Sequence, residues 1–188
     1  MGNALKYGLL ALSLSVTGCA SGMSNTAVKA PEPVKAIDPG RLYNGTWYEV
    51  ARTPMKLTDG CVAGTTKYFQ RSDGQLIDRD ACRTGTPTGP ERVIEGPVSV
   101  LNPGENNKVV VYYSFLGVIP IERTYWMLDH GDDYDWFIEA GPSFENISIF
   151  TRAPRPSAAQ VTALAARAKA LGYDGKSLEY PEQFPAAD

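Results

Sequence analysis

The chain has 188 residues, with 18 Lys and Arg against 21 Asp and Glu, and a formal net charge of −3. That mildly acidic balance, with no basic cluster, argues against a nucleic-acid-binding face. The length suits one domain with a real core, and the sequence shows no phosphate-binding Gly loop, no zinc-like Cys pair and no internal repeat.

Residues 1–18 are apolar, with Lys6 as the only charge and Tyr7 to Val16 as a compact hydrophobic run. Such a run is too short to span a bilayer as a mature helix and reads as a secretory signal. It ends in Val16-Thr17-Gly18-Cys19, which resembles the lipobox of bacterial lipoprotein precursors. The resemblance implies that the chain is cut before Cys19, that the Cys19 thiol is diacylated and that the new amine receives a further acyl chain such as palmitate. Two or more chains hold a protein stably on a membrane, where one does not. Ala20 stands where Asp would resemble an inner-membrane retention signal, so the implied address is the outer membrane of a Gram-negative cell, on the periplasmic face. Residues 19–37 lack periodicity and are rich in small and Pro residues, which reads as a lipidated N-terminus and flexible tether ahead of a domain over 38–188.

With Cys19 given to lipid, Cys61 and Cys82 remain. An even number in an oxidising compartment predicts a disulfide between them.

Pro39-Gly40 opens a short turn or 3₁₀ piece over Arg41-Leu42-Tyr43 that could plug one end of a barrel. Asn44-Gly45 then turns into a first strand, about 46–53, whose Trp47 and Tyr48 suit a pleated, half-buried surface. Pro54 ends it. A second strand, 61–71, is joined through Ser72-Asp73-Gly74 to a third, 75–82, which places Tyr68 opposite Asp78. In that register Cys61 falls about three residues away from Cys82, so the disulfide needs a bulge, for which Gly64 is the candidate. Further strands are expected over 91–101, 107–115, 121–128, 134–140 and 144–152, separated by Gly, Pro, Asn and Asp turns. Eight short strands with little room for crossover helices predict an antiparallel up-and-down barrel, or a sandwich, in a mainly β protein. One helix follows, capped by Ser157 with Gln160, lined by Val161, Leu164, Ala165, Ala168 and Leu171, and stopped at Gly172. That face is expected on the outer barrel wall, and Leu178-Glu179-Tyr180 is expected to add a last short strand.

Three blocks in order resemble the lipocalin family, in particular its bacterial outer-membrane lipoproteins. They are Gly45-Thr46-Trp47-Tyr48-Glu49-Val50-Ala51-Arg52; Ser114-Phe115-Leu116-Gly117 through Trp126-Met127-Leu128-Asp129, Tyr134 and Gly141-Pro142; and Ile149-Phe150-Thr151-Arg152-Ala153-Pro154 before the helix. The resemblance runs from about Ile37 to Gln183. It implies an eight-stranded barrel and, at its closed end, Arg152 lying across Trp47 as a structural pair. One departure is visible: Asp129 and Tyr134 are separated by four residues, where the family has two.

Read against the family, strand alternation puts Tyr68, Ile94, Val111, Tyr113, Phe115, Tyr125, Met127, Phe137 and Phe150 inward, a lining suited to an elongated apolar ligand. Arg123 shares the inward side and would partner a carboxylate or phosphate head group. Glu49, Asp78, Asp80 and Glu139 share it too, which is costly unless they pair, sit at the rim, or are misregistered. Loops 54–60, 83–90, 116–120 and 141–144 share the open mouth, where Met55, Leu57, Leu116, Val118 and Ile119 form an apolar rim. Such a rim suggests either a portal toward the membrane or a dimer contact; otherwise the protein is a monomer.

The function implied is binding, and shuttling, of fatty acids or lysophospholipids at the outer membrane, with no cofactor and no metal. The alternatives are a structural envelope lipoprotein with a filled barrel and a lipid-modifying enzyme. The sole His, His130, sits in a Gly/Asp turn at the predicted closed end and reads as solvated, so a catalytic triad has no base near the mouth.

Overall fold

The structure, a computed structural model, describes residues 29–115, 117–174 and 178–185. The signal-like segment, Cys19 and Leu116 lie outside the described residues. No helix among the described residues is long and apolar enough to cross a membrane.

A four-residue helix α1 (Pro39–Leu42) leads into eight strands: β1 (Gly45–Arg52), β2 (Cys61–Gln70), β3 (Leu76–Thr84), β4 (Glu91–Val100), β5 (Lys108–Phe115), β6 (Ile119–His130), β7 (Trp136–Ala140) and β8 (Ile147–Thr151). A helix α2 (Ala158–Ala170) ends the regular elements. Each strand pairs antiparallel with its sequence neighbour, and β8 closes on β1. The result is the expected up-and-down barrel, and closure leaves no free sheet edge.

The expected strands are all present, with shifted ends. β8 starts three residues late, at Ile147, and β6 begins at Ile119 because Pro120 pairs with Ser114 instead of belonging to the connection. Tyr68 does face Asp78. The β2–β3 register shifts between Val62 and Thr65, around the expected Gly64, and Ala63 takes the left-handed conformation at φ 47°. The shift brings Cys61 and Cys82 into a disulfide with Cα atoms 5.5 Å apart.

Two apolar layers form. Inside the barrel, Leu42, Tyr43, Trp47, Tyr68, Val111, Met127 and Phe137 pack with Phe150 at the closed end. Outside, α2 covers the wall made by Val50, Ala51, Leu128, Ile138, Ile147 and Ile149, using Leu164 and Ala168 of the face expected from its periodicity. Ser157 caps α2 by accepting the Gln160 N–H at 3.1 Å. The last expected strand is reduced to a single bridge, in which Glu179 pairs with Arg52.

Residues 29–37, read from composition as the end of a tether, lie against the barrel. Ala30 and Ile37 are buried. The Ala30 N–H donates to the Pro142 carbonyl at 2.9 Å and the Ile37 N–H to the Glu105 carbonyl at 2.7 Å. Lys35 donates to the His130 carbonyl at 2.8 Å and pairs with buried Asp129 at 3.1 Å. The composition hid this because the anchors are single residues and backbone groups, which leave no periodic signal.

Candidate functional site

The closed end is built from the first block of the sequence upward. Asp38 caps α1 by accepting the Gly40 N–H, and Leu42 seats under the barrel with no exposed surface. Gly45 turns the chain into β1 at φ 73°, where a side chain would strain the backbone. Trp47 then points inward, donates its indole N–H to the Leu42 carbonyl at 2.9 Å, and meets Phe137 edge-on at 4.7 Å. Arg152 lies over the indole and donates to the carbonyls of Thr46 at 2.9 Å and Arg41 at 2.7 Å. The enlarged turn between Asp129 and Tyr134 folds onto this plug. Tyr134 takes φ 54°, and its hydroxyl accepts the Asp38 N–H at 2.8 Å. Asp129 is gripped by Lys35 and by Arg167 of α2.

His130 is buried, not solvated as its turn context suggested. Its ring stacks on Tyr134 at 4.4 Å and contacts the carbonyls of Gly131 at 2.8 Å and Ala36 at 3.3 Å. Residues 29–37 cover it, a tertiary contact that local sequence cannot reveal. It takes no part in lining the cavity at the other end.

That cavity, of about 140 Å³, opens at the mouth of the barrel. Five of the residues expected on the inward side line it: Ile94, Tyr113, Arg123, Tyr125 and Phe150. Phe150 and Ile121 complete its apolar side, and Met55 and Leu57 reach it from the first mouth loop. Tyr68, Val111, Met127 and Phe137 face inward as expected but belong to the packed layer beneath. Strand parity sets which side a residue takes, and height along the barrel decides whether that side is cavity or plug. Phe115 lies on β5, paired with Ile119. Arg123 is on the cavity wall yet exposed, so it pairs with none of the inward carboxylates.

The inward carboxylates are real; three are buried instead of sitting at the rim, and Asp80 is half-buried. Glu49, Asp78 and Glu139 are less than a tenth exposed. Glu49 is paired: its Oε2 accepts from Arg52 Nη1 at 2.6 Å and its Oε1 from Ser148 at 3.2 Å. Arg52, three residues after Glu49, would face the other way in a regular strand, so the sequence carries no signal of this pairing. A bulge in β1 between Glu49 and Ala51 lets both side chains turn to one side. Asp78 and Asp80 share the Tyr113 hydroxyl, at 3.0 Å and 2.8 Å, and Thr66 donates to Asp80 Oδ1. Burial, then the neighbouring Asp80 and Glu139, push Asp78 well above the usual carboxylate range. Burial, then Asp80 and Glu49, do the same to Glu139. Burial also raises Glu49 against the opposing effect of Arg52.

The Cys61–Cys82 disulfide forms part of the cavity wall, so neither sulfur there is a free thiol.

A barrel closed along every strand, plugged by Trp47 and Arg152 at one end and hollow at the other, defines a binding protein for a small hydrophobic ligand. The chain belongs to the lipocalin family, whose model, described as a lipocalin-like domain, matches residues 37–183. It is similar to the outer membrane lipoprotein Blc of Vibrio cholerae, with 27% identity over 167 residues covering 87% of this chain and 94% of that relative. Among solved structures it resembles insecticyanin from the tobacco hornworm Manduca sexta, at 15% identity and a TM-score of 0.61 over 82% of this chain and 86% of that one. It also resembles the tryptamine complex of the amine binding protein of Rhodnius prolixus, at 14% identity and a TM-score of 0.59 over 82% and 86% of the two chains. Both structural likenesses speak to the fold alone.

Proposed function

We propose that the protein is an outer-membrane lipocalin, anchored through Cys19, that binds one small, largely apolar ligand and shuttles it between the membrane and the periplasm. The observation that carries this reading is the cavity at the mouth, walled by Ile94, Ile121, Tyr113, Tyr125 and Phe150. A hollow of that kind favours binding over the filled barrel of a purely structural lipoprotein. The similarity to an outer membrane lipoprotein along nearly the whole of both chains supports the location.

Of the two lipid classes expected from the sequence, a lysophospholipid fits better than a fatty acid. A fatty-acid carboxylate entering this cavity would approach Asp80 and Glu139. A lysophospholipid can place its phosphate against Arg123 and leave its acyl chain toward the mouth, where Val118 and Ile119 are 79% and 50% exposed. Native mass spectrometry of the protein, extracted from its host membrane and lipid-exchanged into volatile buffer, tests the reading. A bound acyl lipid in the wild type, absent from Tyr125→Arg, is the expected result. An empty barrel that also binds no added lysophospholipid overturns it.

A further inference from the structure

The barrel interior holds carboxylates that the protein's own donors do not satisfy. Glu139 Oε2 and Asp78 Oδ1 have no hydrogen-bond partner, on side chains more than nine-tenths buried. Arg52 is committed elsewhere: Nη1 to Glu49, Nε to Glu179 at 2.6 Å, and Nη2 to the Cys61 carbonyl at 2.9 Å. Tyr113 has one hydroxyl proton for two aspartates. Glu139 and Asp80 both line the cavity, beside the rings of Tyr113, Tyr125 and Phe150. Asp78 stands behind them, joined to Asp80 through the Tyr113 hydroxyl.

A buried carboxylate oxygen without a donor is costly, and native proteins leave few of them. A neutral apolar ligand would seal these oxygens further from water without supplying a donor. An anion can meet Arg92 or Arg123 elsewhere on the lining, but at this wall it would add repulsion. Among the described residues no three His, Cys, Asp or Glu side chains converge as a metal site. What remains is a cation that brings its own N–H donors and tolerates aromatic faces, which attract cations through the ring quadrupole.

We propose that the inner wall of the cavity recognises an organic ammonium group carried on an apolar body, with the nitrogen donating to Glu139 and Asp80 and the body lying against Tyr113, Tyr125 and Phe150. This rests on the reading that the barrel binds a small ligand, and it names the chemistry of that ligand. The cavity, about 140 Å³, is close to the roughly 150 Å³ known to admit a benzene ring, so a ring-sized or head-group-sized portion enters. Two sources carry this chemistry: a free arylalkylamine, or the ethanolamine head of a lysophospholipid whose phosphate meets Arg123.

The test is titration calorimetry on the full chain as its host processes it, held in nanodiscs of phosphatidylglycerol, a lipid whose head group has no ammonium, with empty discs as the blank. The ligands are 2-phenylethylamine, its neutral counterpart 2-phenylethanol, lysophosphatidylethanolamine and lysophosphatidic acid. At least one ammonium ligand should bind about tenfold tighter than its ammonium-free counterpart, and Glu139→Gln should erase that preference. The pair showing the preference identifies the source. Removing a buried carboxyl oxygen that has no partner should not unfold the barrel; Asp80→Asn, checked by circular dichroism, serves as the second variant. Equal binding within each pair, or a preference untouched by both variants, overturns the ammonium proposal while leaving ligand binding intact. Binding of none of the four overturns both.

Discussion

The guanidinium carbon of Arg152 stands 3.5 Å from the centre of the Trp47 ring, and the same group donates to two main-chain carbonyls. One side chain from the end of the barrel thus clamps the β1 entry and α1 over the residue that fills the closed end. Cation–π attraction and the two hydrogen bonds together predict a loss of about 2–3 kcal/mol for Arg152→Ala in urea unfolding. Arg152→Lys should recover only part of it, because an ammonium cannot lie flat and reach both carbonyls. Equal stability of all three proteins would remove the clamp.

Glu139 predicts an unusual pH profile. Its folded-state affinity for a proton is raised by burial, then by Asp80 and Glu49, so the folded chain holds this proton where the unfolded chain has lost it. Stability from Glu139 is therefore present below the ordinary carboxylate range and declines as pH rises from there toward its raised folded value. Glu139→Gln should stabilise the ligand-free protein by about 1–3 kcal/mol at neutral pH and flatten that decline. Thermal melts of the two proteins from pH 4 to 8 would check both the sign and the window. Asp129 acts in the opposite direction, since Lys35 and Arg167 hold its carboxyl below the usual range against its burial, and its share is lost as pH falls through that lowered value.

Gly64 is required by space. A Cβ there would come within 2.6 Å of Glu49 Oε2, the oxygen that holds Arg52. Gly64→Ala should cost about 1–3 kcal/mol, and Gly64→Ala combined with Glu49→Ala should cost less than the sum of the two single changes. Strict additivity in denaturation would show that the two do not touch.

Reducing the Cys61–Cys82 bridge should lower stability by about 3 kcal/mol on the loop-entropy account, given a sequence separation of 21. Because the bridge lies in the cavity wall, Cys61→Ala/Cys82→Ala should also weaken ligand binding. Calorimetry at a temperature where the variant remains folded separates the two effects.

Val118→Asp/Ile119→Asp should slow transfer of a fluorescent lysophospholipid from vesicles while leaving uptake from solution unchanged. Equal rates from both sources would remove the portal from the proposed function.

Much of the barrel was legible because its signals are local. Turn residues and β-favouring runs mark every strand, and the three blocks place Trp47 and Arg152 at one end. The carboxylates Glu49, Asp78, Asp80 and Glu139 were assigned to the correct face, but their partners were not. Arg52 reaches Glu49 only through the bulge between Glu49 and Ala51, and a bulge reverses alternation without marking the sequence. Tyr68, Val111, Met127 and Phe137 show the same limit in another form: alternation reports a side, and the plug decides depth. His130 was misjudged because its cover comes from Ala36, far away in the chain.

The docked segment before β1 also has a direction. Ala30 is held at Pro142, in the loop that follows β7 on the mouth side, and Ile37 at Glu105, in the loop before β5 at the closed end. The chain therefore leaves the wall heading up toward the opening. If Cys19 is the anchor proposed above, the residues between it and Ala30 reach at most roughly 35 to 40 Å. A tether of that reach, starting on the mouth side, would then let the opening meet the lipid surface like a bucket held by its handle.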